Sequence, residues 1–212
     1  MGYGEVLRNP LQKIGRDCEF FTMLRHPISR LVSAFYYCPG DHDQQSRPPQ
    51  WCGNLPYPAS GSTRLLDFAR RTRWAYMNYV EMLYGIYCHP GARFCDEEHQ
   101  MRKLPRGMRS EKGRLALTLM KETILGYKAV GVFEEWELSM QLFNATVKSS
   151  VRSWDFDMSL NGGVTDFGRE SLLQWAYASP DIHIALATDI LLYEFALEVF
   201  KDQTKRILGK DW

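Results

Sequence analysis

The chain has no stretch of about eighteen consecutive apolar residues, so a transmembrane helix is not expected in it. No basic-then-apolar leader follows Met1, so a secretory signal is not expected in the residues as given either. Neither sign of charge is in excess. Twenty-six Lys and Arg face 25 Asp and Glu, for a formal charge of +1, which removes any bulk electrostatic reason to expect a nucleic-acid partner. Internal repeats and low-complexity tracts are also missing, which argues against solenoids and arrays. What is present suits an ordered globular protein: 45% hydrophobic residues, 13% aromatics, and 212 residues, enough for a single domain (1–212) with a sizeable core.

Cysteine is sparse but suggestively placed. Cys38 and Cys52 bracket the loop PGDHDQQSRPPQW, and closing a loop of that size with a disulfide would be worth about 3 kcal/mol. Cys88 and Cys95 bracket HPGARF in the same way, and Cys18 is left over. In an oxidising lumen two bridges and one thiol make sense; in a cytosol all five stay reduced. Asn144-Ala145-Thr146 is a glycosylation sequon, in agreement with a luminal setting. Cys88, His89, Cys95 and His99 have the chemistry of metal ligands, but their spacing fits no standard zinc pattern, and no metal is expected.

The stretch from Glu19 to Tyr37, EFFTMLRHPISRLVSAFYY, reads as strand, sharp turn and helix. Phe20, Phe21, Met23 and Leu24 make the short apolar run of a buried strand, and Pro27 stops it because proline has no amide donor. Ile28, Leu31, Val32, Phe35 and Tyr36 then recur at spacings of three and four, the stripe of an amphipathic helix. Arg25 falls at the carboxyl end of the strand, Arg30 in the first turns of the helix, and Ser33 about one turn further. Guanidinium groups and a hydroxyl beside a helix N-terminus point to an anion such as phosphate or sulfate. The alternative is that both arginines pair with surface carboxylates and Ser33 is a small residue at a helix contact. His26 stands beside this site and is a weak candidate for a general base.

Further along, 38–63 gathers Pro39, Pro48, Pro49, Pro56 and Pro58 with Gly40, Gly53 and Gly61, the composition of a long loop. From Ser62, STRLLDFARRTRWAYMNYVEMLYG predicts a helix or a broken pair, with Leu65, Leu66, Phe68 and Ala69 inward and Arg64, Arg70, Arg71 and Arg73 outward. Those arginines form either a solvated face or a contact for a sulfated or uronic-acid polymer. The run from Arg102 to Arg114 is similarly basic, bordering a polyanion or simply leading into the next helix. Ser110 to Ile124 predicts a helix, Tyr127 to Phe133 a buried parallel strand, and Glu134, Glu135 and Glu137 the start of another helix, where acids complement the dipole. That role accounts for the three acids without a catalytic carboxylate pair. After an irregular stretch, 148–168, a short helix is expected over Phe167 to Ala178. Ser179 then acts as cap with Pro180 first in the next helix, and a final helix spans 181–208 with an interruption before Asp189.

Leu24-Arg25-His26-Pro27-Ile28-Ser29-Arg30-Leu31-Val32-Ser33-Ala34-Phe35-Tyr36 resembles the LRxPxxRxxSxY segment of sulfotransferases that use 3′-phosphoadenosine 5′-phosphosulfate (PAPS), in the variant of the Golgi-type carbohydrate (heparan/chondroitin-like) enzymes. Leu125 to Phe143 is similar to that family's FxxVGxxExFxxSLxLF strand and helix, and Thr188 to Phe200 to its closing DxxLYxxAxxLF helix. The three segments occur in the family's order. The resemblance implies a helix-rich, three-layer α/β fold with a P-loop-like parallel sheet flanked by helices. It further implies PAPS as co-substrate with its 3′-phosphate held by Arg25 and Ser33, a carbohydrate acceptor, and residence in the Golgi lumen or membrane. The family's phosphosulfate loop, PKxGxTT or PKTGSTS, has no counterpart here, so the expectation is an N-terminally truncated form of the fold with no assignable catalytic residue. Two alternatives remain beside the transferase: an inactive remnant that binds a 3′-phosphoadenosine nucleotide or a sulfated glycan, and an unrelated P-loop-like protein.

Overall fold

A computed structural model describes residues 21–37, 62–71, 79, 83, 111–146 and 167–211. In chain order the elements are β1 (Phe21–Leu24), α1 (Pro27–Tyr37), α2 (Ser62–Arg71), α3 (Glu111–Leu125), β2 (Ala129–Val132), a 3-10 turn (Phe133–Glu135), α4 (Trp136–Thr146), α5 (Phe167–Ala178), α6 (Pro180–Ala185) and α7 (Ala187–Leu208). The described residues are helix-rich with a two-stranded parallel sheet, which is compatible with an α/β class. α2 starts at Ser62, where the helix is expected to begin, so Ser62 and Thr63 belong to it and not to the long loop; 38–61 lie outside the described residues. The chain divides into two compact units, one made of β1, α3, β2, α4 and α7 from Leu191, the other of α1, α2, α5, α6 and the start of α7 through Ile190.

In the first unit β1 and β2 run parallel, from Phe21 opposite Ala129 to Leu24 opposite Val132. β2 is shorter than the expected Tyr127 to Phe133. The Tyr127 N–H turns back to the Ile124 carbonyl at 3.2 Å, and Phe133 already belongs to the 3-10 turn. All four β2 residues are buried, as a strand covered on both faces requires. Side chains satisfy two of its amides: Val130 N–H donates to Gln203 Oε1 at 2.9 Å and Val132 N–H to Ser139 Oγ at 2.8 Å, while the Ser139 hydroxyl donates to the Val132 carbonyl at 2.9 Å. Gly131 leaves room for α4, since a Cβ there would lie 2.6 Å from Cζ of Phe143. α7 buries Leu192, Ala196 and Phe200 completely, while Phe195 and Val199, which the spacing also places on its core face, are only half-buried; the helix ends at Gly209, whose φ of 66° suits a left-handed C-terminal residue.

The second unit has its own apolar core. Ile28, Leu31, Val32 and Phe35 of α1 meet Leu65, Phe68 and Ala69 of α2, Leu172 and Ala176 of α5, and Ile182 and Leu186. These are the inward positions that the spacing in α1 and α2 predicts, except that Tyr36 and Leu66, also expected there, are only partly buried; each large side chain buried in this core contributes about 1.5–3 kcal/mol. α6 begins with Ser179 in the cap position and Pro180 next, but Ser179 makes no side-chain capping bond, contrary to expectation; its backbone alone fills that role. The expected interruption of the last helix falls at Leu186. Its N–H closes α6 on the Ile182 carbonyl, its carbonyl opens α7 by accepting from Ile190, both at 2.9 Å, and its side chain is fully buried.

Candidate anion site

The turn between β1 and α1 is two residues long, Arg25 and His26. His26 is the helix cap. Its carbonyl accepts the Arg30 N–H at 2.9 Å, the first bond of the helix, and its Nδ1 accepts the Ile28 N–H at 3.2 Å. A ring nitrogen thus does what a Ser or Asp oxygen does at most helix starts, and Pro27, which has no amide to satisfy, takes the first helical position. The ring also lies against Tyr177, with centroids 4.9 Å apart. These contacts give the candidate base a structural task, with one nitrogen lone pair already committed.

Because α1 buries its apolar stripe, its polar residues Ser29, Arg30 and Ser33 share the remaining face, and each meets a partner far along the chain. Ser29 Oγ and the Tyr177 hydroxyl are 2.9 Å apart. Arg30 Nη2 donates to Asp189 Oδ2 at 3.2 Å, in a pair whose carboxylate side chain is 0% exposed and whose guanidinium side chain is 12% exposed. Arg30 therefore pairs with a carboxylate, as the alternative to an anion role held, but with a buried one. Ser33 Oγ accepts a hydrogen bond from Arg169 Nη2 at 3.4 Å. Arg25 and Ser33 are both half-buried. Ser33 follows the His26 cap by seven residues, two helical turns or about 10 Å along the axis, so it lies on the face that begins at the Arg25–His26 turn.

Arg169 was not legible as a site residue. It is 136 residues from Ser33 and belongs to no motif; the only hint is a cation in the first turn of α5, where the helix dipole favours an acid. The carboxylates after β2 behave as expected of structural groups: Glu134 accepts the Tyr193 hydroxyl at 3.0 Å, tying the 3-10 turn to α7. Of the basic residues of α2, Arg64 is exposed and Arg70 meets Asp181 at 2.8 Å, with both side chains more than half exposed. In the sequon, Asn144 is exposed while Thr146 is buried and donates to the Leu142 carbonyl within α4. The five cysteines, His89, His99, Arg73 and the basic run up to Arg109 lie outside the described residues. Among the described residues, no helix is long and apolar enough to cross a membrane, and no three or more His, Cys, Asp or Glu side chains gather as a metal site would need.

A comparison with protein-family models gives no match, and a comparison with curated proteins gives none.

Proposed function

We propose that this chain is a sulfotransferase-like protein that binds PAPS through its 3′-phosphate, with Arg25 and Ser33 as the anchoring residues, and serves sulfuryl transfer to a carbohydrate hydroxyl in the Golgi lumen. The observation that carries this reading is the strand, two-residue turn and helix over 21–37, with Arg25 in the turn and Ser33 on the polar face two turns later. A guanidinium at a helix start and a hydroxyl on the same face suit a dianionic phosphate, because charge-assisted hydrogen bonds and the helix dipole act together. Holding the nucleotide by a group remote from the reacting sulfur contributes positioning; in-line attack, stabilisation of the moving group and removal of the acceptor proton need further residues.

The finer fold reading, a three-layer P-loop-like sheet, is part of this proposal. Its support is the parallel register of β1 and β2, and the side to which a larger sheet can grow. Gln203 and Ser139 hold the amides of Val130 and Val132, so further strands would add beyond β1.

One observation favours a binding role without transfer: two titratable groups of the motif segments are committed to structure, His26 to the cap and Glu134 to Tyr193. Calorimetric titration of the purified chain with adenosine 3′,5′-bisphosphate tests the shared core of both readings. We expect micromolar binding that Arg25→Ala or Ser33→Ala weakens by about 1.5–3 kcal/mol, the range for hydrogen bonds to charged groups. Absence of binding by the folded wild-type chain overturns the proposal. Sulfation of a carbohydrate acceptor from PAPS separates the transferase from the binding protein.

A further inference from the structure

We infer that Arg169 of α5 is a third anchoring residue of the same site, reading the 3′-phosphate of the nucleotide together with Ser33; this inference rests on the nucleotide-binding reading above. Three observations lead to it. Arg169 is half-buried, yet among the described residues its polar contact is a single hydrogen bond of 3.4 Å to a neutral hydroxyl and no carboxylate pairs with it. Arg30, a helical turn from Ser33, shows how this unit treats a cation with a structural task, giving it the buried carboxylate of Asp189. The position of Arg169 in the first turn of α5 sets its charge against the positive end of that helix, so neither its own helix nor a counter-ion explains it.

The Ser33 hydroxyl completes the argument. It accepts from Arg169, a side chain that can only donate, so its own proton is left for an acceptor, and among the described residues none takes it. A guanidinium with unused N–H groups and a hydroxyl with an unused O–H, in contact with each other, form a convergent pair of donors. The ligand chemistry that satisfies both at once is an oxyanion with several acceptor oxygens, and a terminal phosphate monoester offers three. The planar fork of Arg169 can span two phosphate oxygens while Ser33 donates to another. Arg25 belongs to the turn that opens α1, so two helices and a turn would supply the three groups.

The test compares adenosine 3′,5′-bisphosphate with adenosine 5′-monophosphate, which lacks the 3′-phosphate, on the wild-type chain and on Arg169→Ala and Arg169→Lys, each checked for folding by circular dichroism. We expect Arg169→Ala to weaken the bisphosphate by about ten- to hundredfold, as loss of hydrogen bonds to a charged group does, and to leave the monophosphate unchanged. Arg169→Lys, which keeps the charge without the fork, is expected to recover part of the loss. A merely structural arginine would weaken both nucleotides alike. If the wild-type chain prefers the bisphosphate and Arg169→Ala keeps that preference in full, the inference is overturned while the nucleotide site stands. If the wild-type chain binds neither nucleotide, or both equally, the underlying reading fails and the inference fails with it.

Discussion

Arg30 and Asp189 form the costliest polar arrangement described in the second unit, because two charges leave water to meet each other. Desolvation offsets most of the attraction in such a pair, so its main consequence is asymmetric: removing one partner leaves the other buried and uncompensated. Asp189→Ala is therefore expected to lower stability by about 3–5 kcal/mol in urea unfolding. Replacing both partners, Arg30→Met with Asp189→Leu, is expected to recover much of that loss, since no charge is then stranded. A loss below about 1 kcal/mol for Asp189→Ala would show a pair worth no more than a surface ion pair. Asp189 also stands in the first turn of α7, where an acid is favoured. That secondary gain favours an acid at this position of α7. The same comparison gives Ser33 and Arg169 their meaning: both contacts join α1 to a distant segment, but one carries its counter-ion and the other has none among the described residues.

Among the elements, β2 depends on the absence of a side chain at its third residue. A Cβ at Gly131 would lie 2.6 Å from Cζ of Phe143, and 3.0 Å from Met23 Sδ and from Ser139 Cβ. The ring tip and the thioether can turn aside. Ser139 cannot retreat as easily, because its hydroxyl both accepts from and donates to Val132 one residue further on. Gly131→Ala is thus expected to cost about 1–3 kcal/mol, the usual range for overpacking a filled core, and chemical denaturation would measure it. A change within about 0.5 kcal/mol would mean that α4 moves off the strand freely. How much of this was readable beforehand follows from the range of each interaction. The inward residues of α1 and α2 repeat every three or four positions, so helix geometry alone exposes them. Ser179 has the residue type of a cap, but type alone does not orient a hydroxyl. Gly131 reads only as a glycine in a strand until Phe143 and Met23 are folded against it. Arg30 with Asp189 and Ser33 with Arg169 span 159 and 136 residues, distances over which no local pattern survives.

For the molecule as a whole, the balance of 26 basic against 25 acidic side chains leaves little net charge to drive unfolding near neutrality, so pH acts through individual groups. Tyr127, between α3 and β2, is one of them, its phenol raised above the ordinary 10.0 by burial, which disfavours the charged phenolate. In the unfolded chain the phenol keeps its ordinary value. Between about pH 10 and the higher folded value, the folded state therefore holds a proton that the unfolded state has lost, and stability must fall as pH rises through that window. Lys205, raised above 10.5 chiefly by its hydrogen bond to Asp211, adds a loss of the same sign at higher pH, weakened by its full exposure to solvent. Tyr127→Phe removes the first dependence and leaves the second. Thermal unfolding of both proteins from pH 8 to pH 11 is expected to give parallel curves up to about pH 10, then a steeper decline for the wild type. The difference in phenolate absorbance between the two proteins, followed over the same range, reports the titration of Tyr127 itself. A midpoint at or below the ordinary phenol value, with no divergence in thermal stability, would show that the Tyr127 hydroxyl is open to water and that the turn before β2 does not shield it.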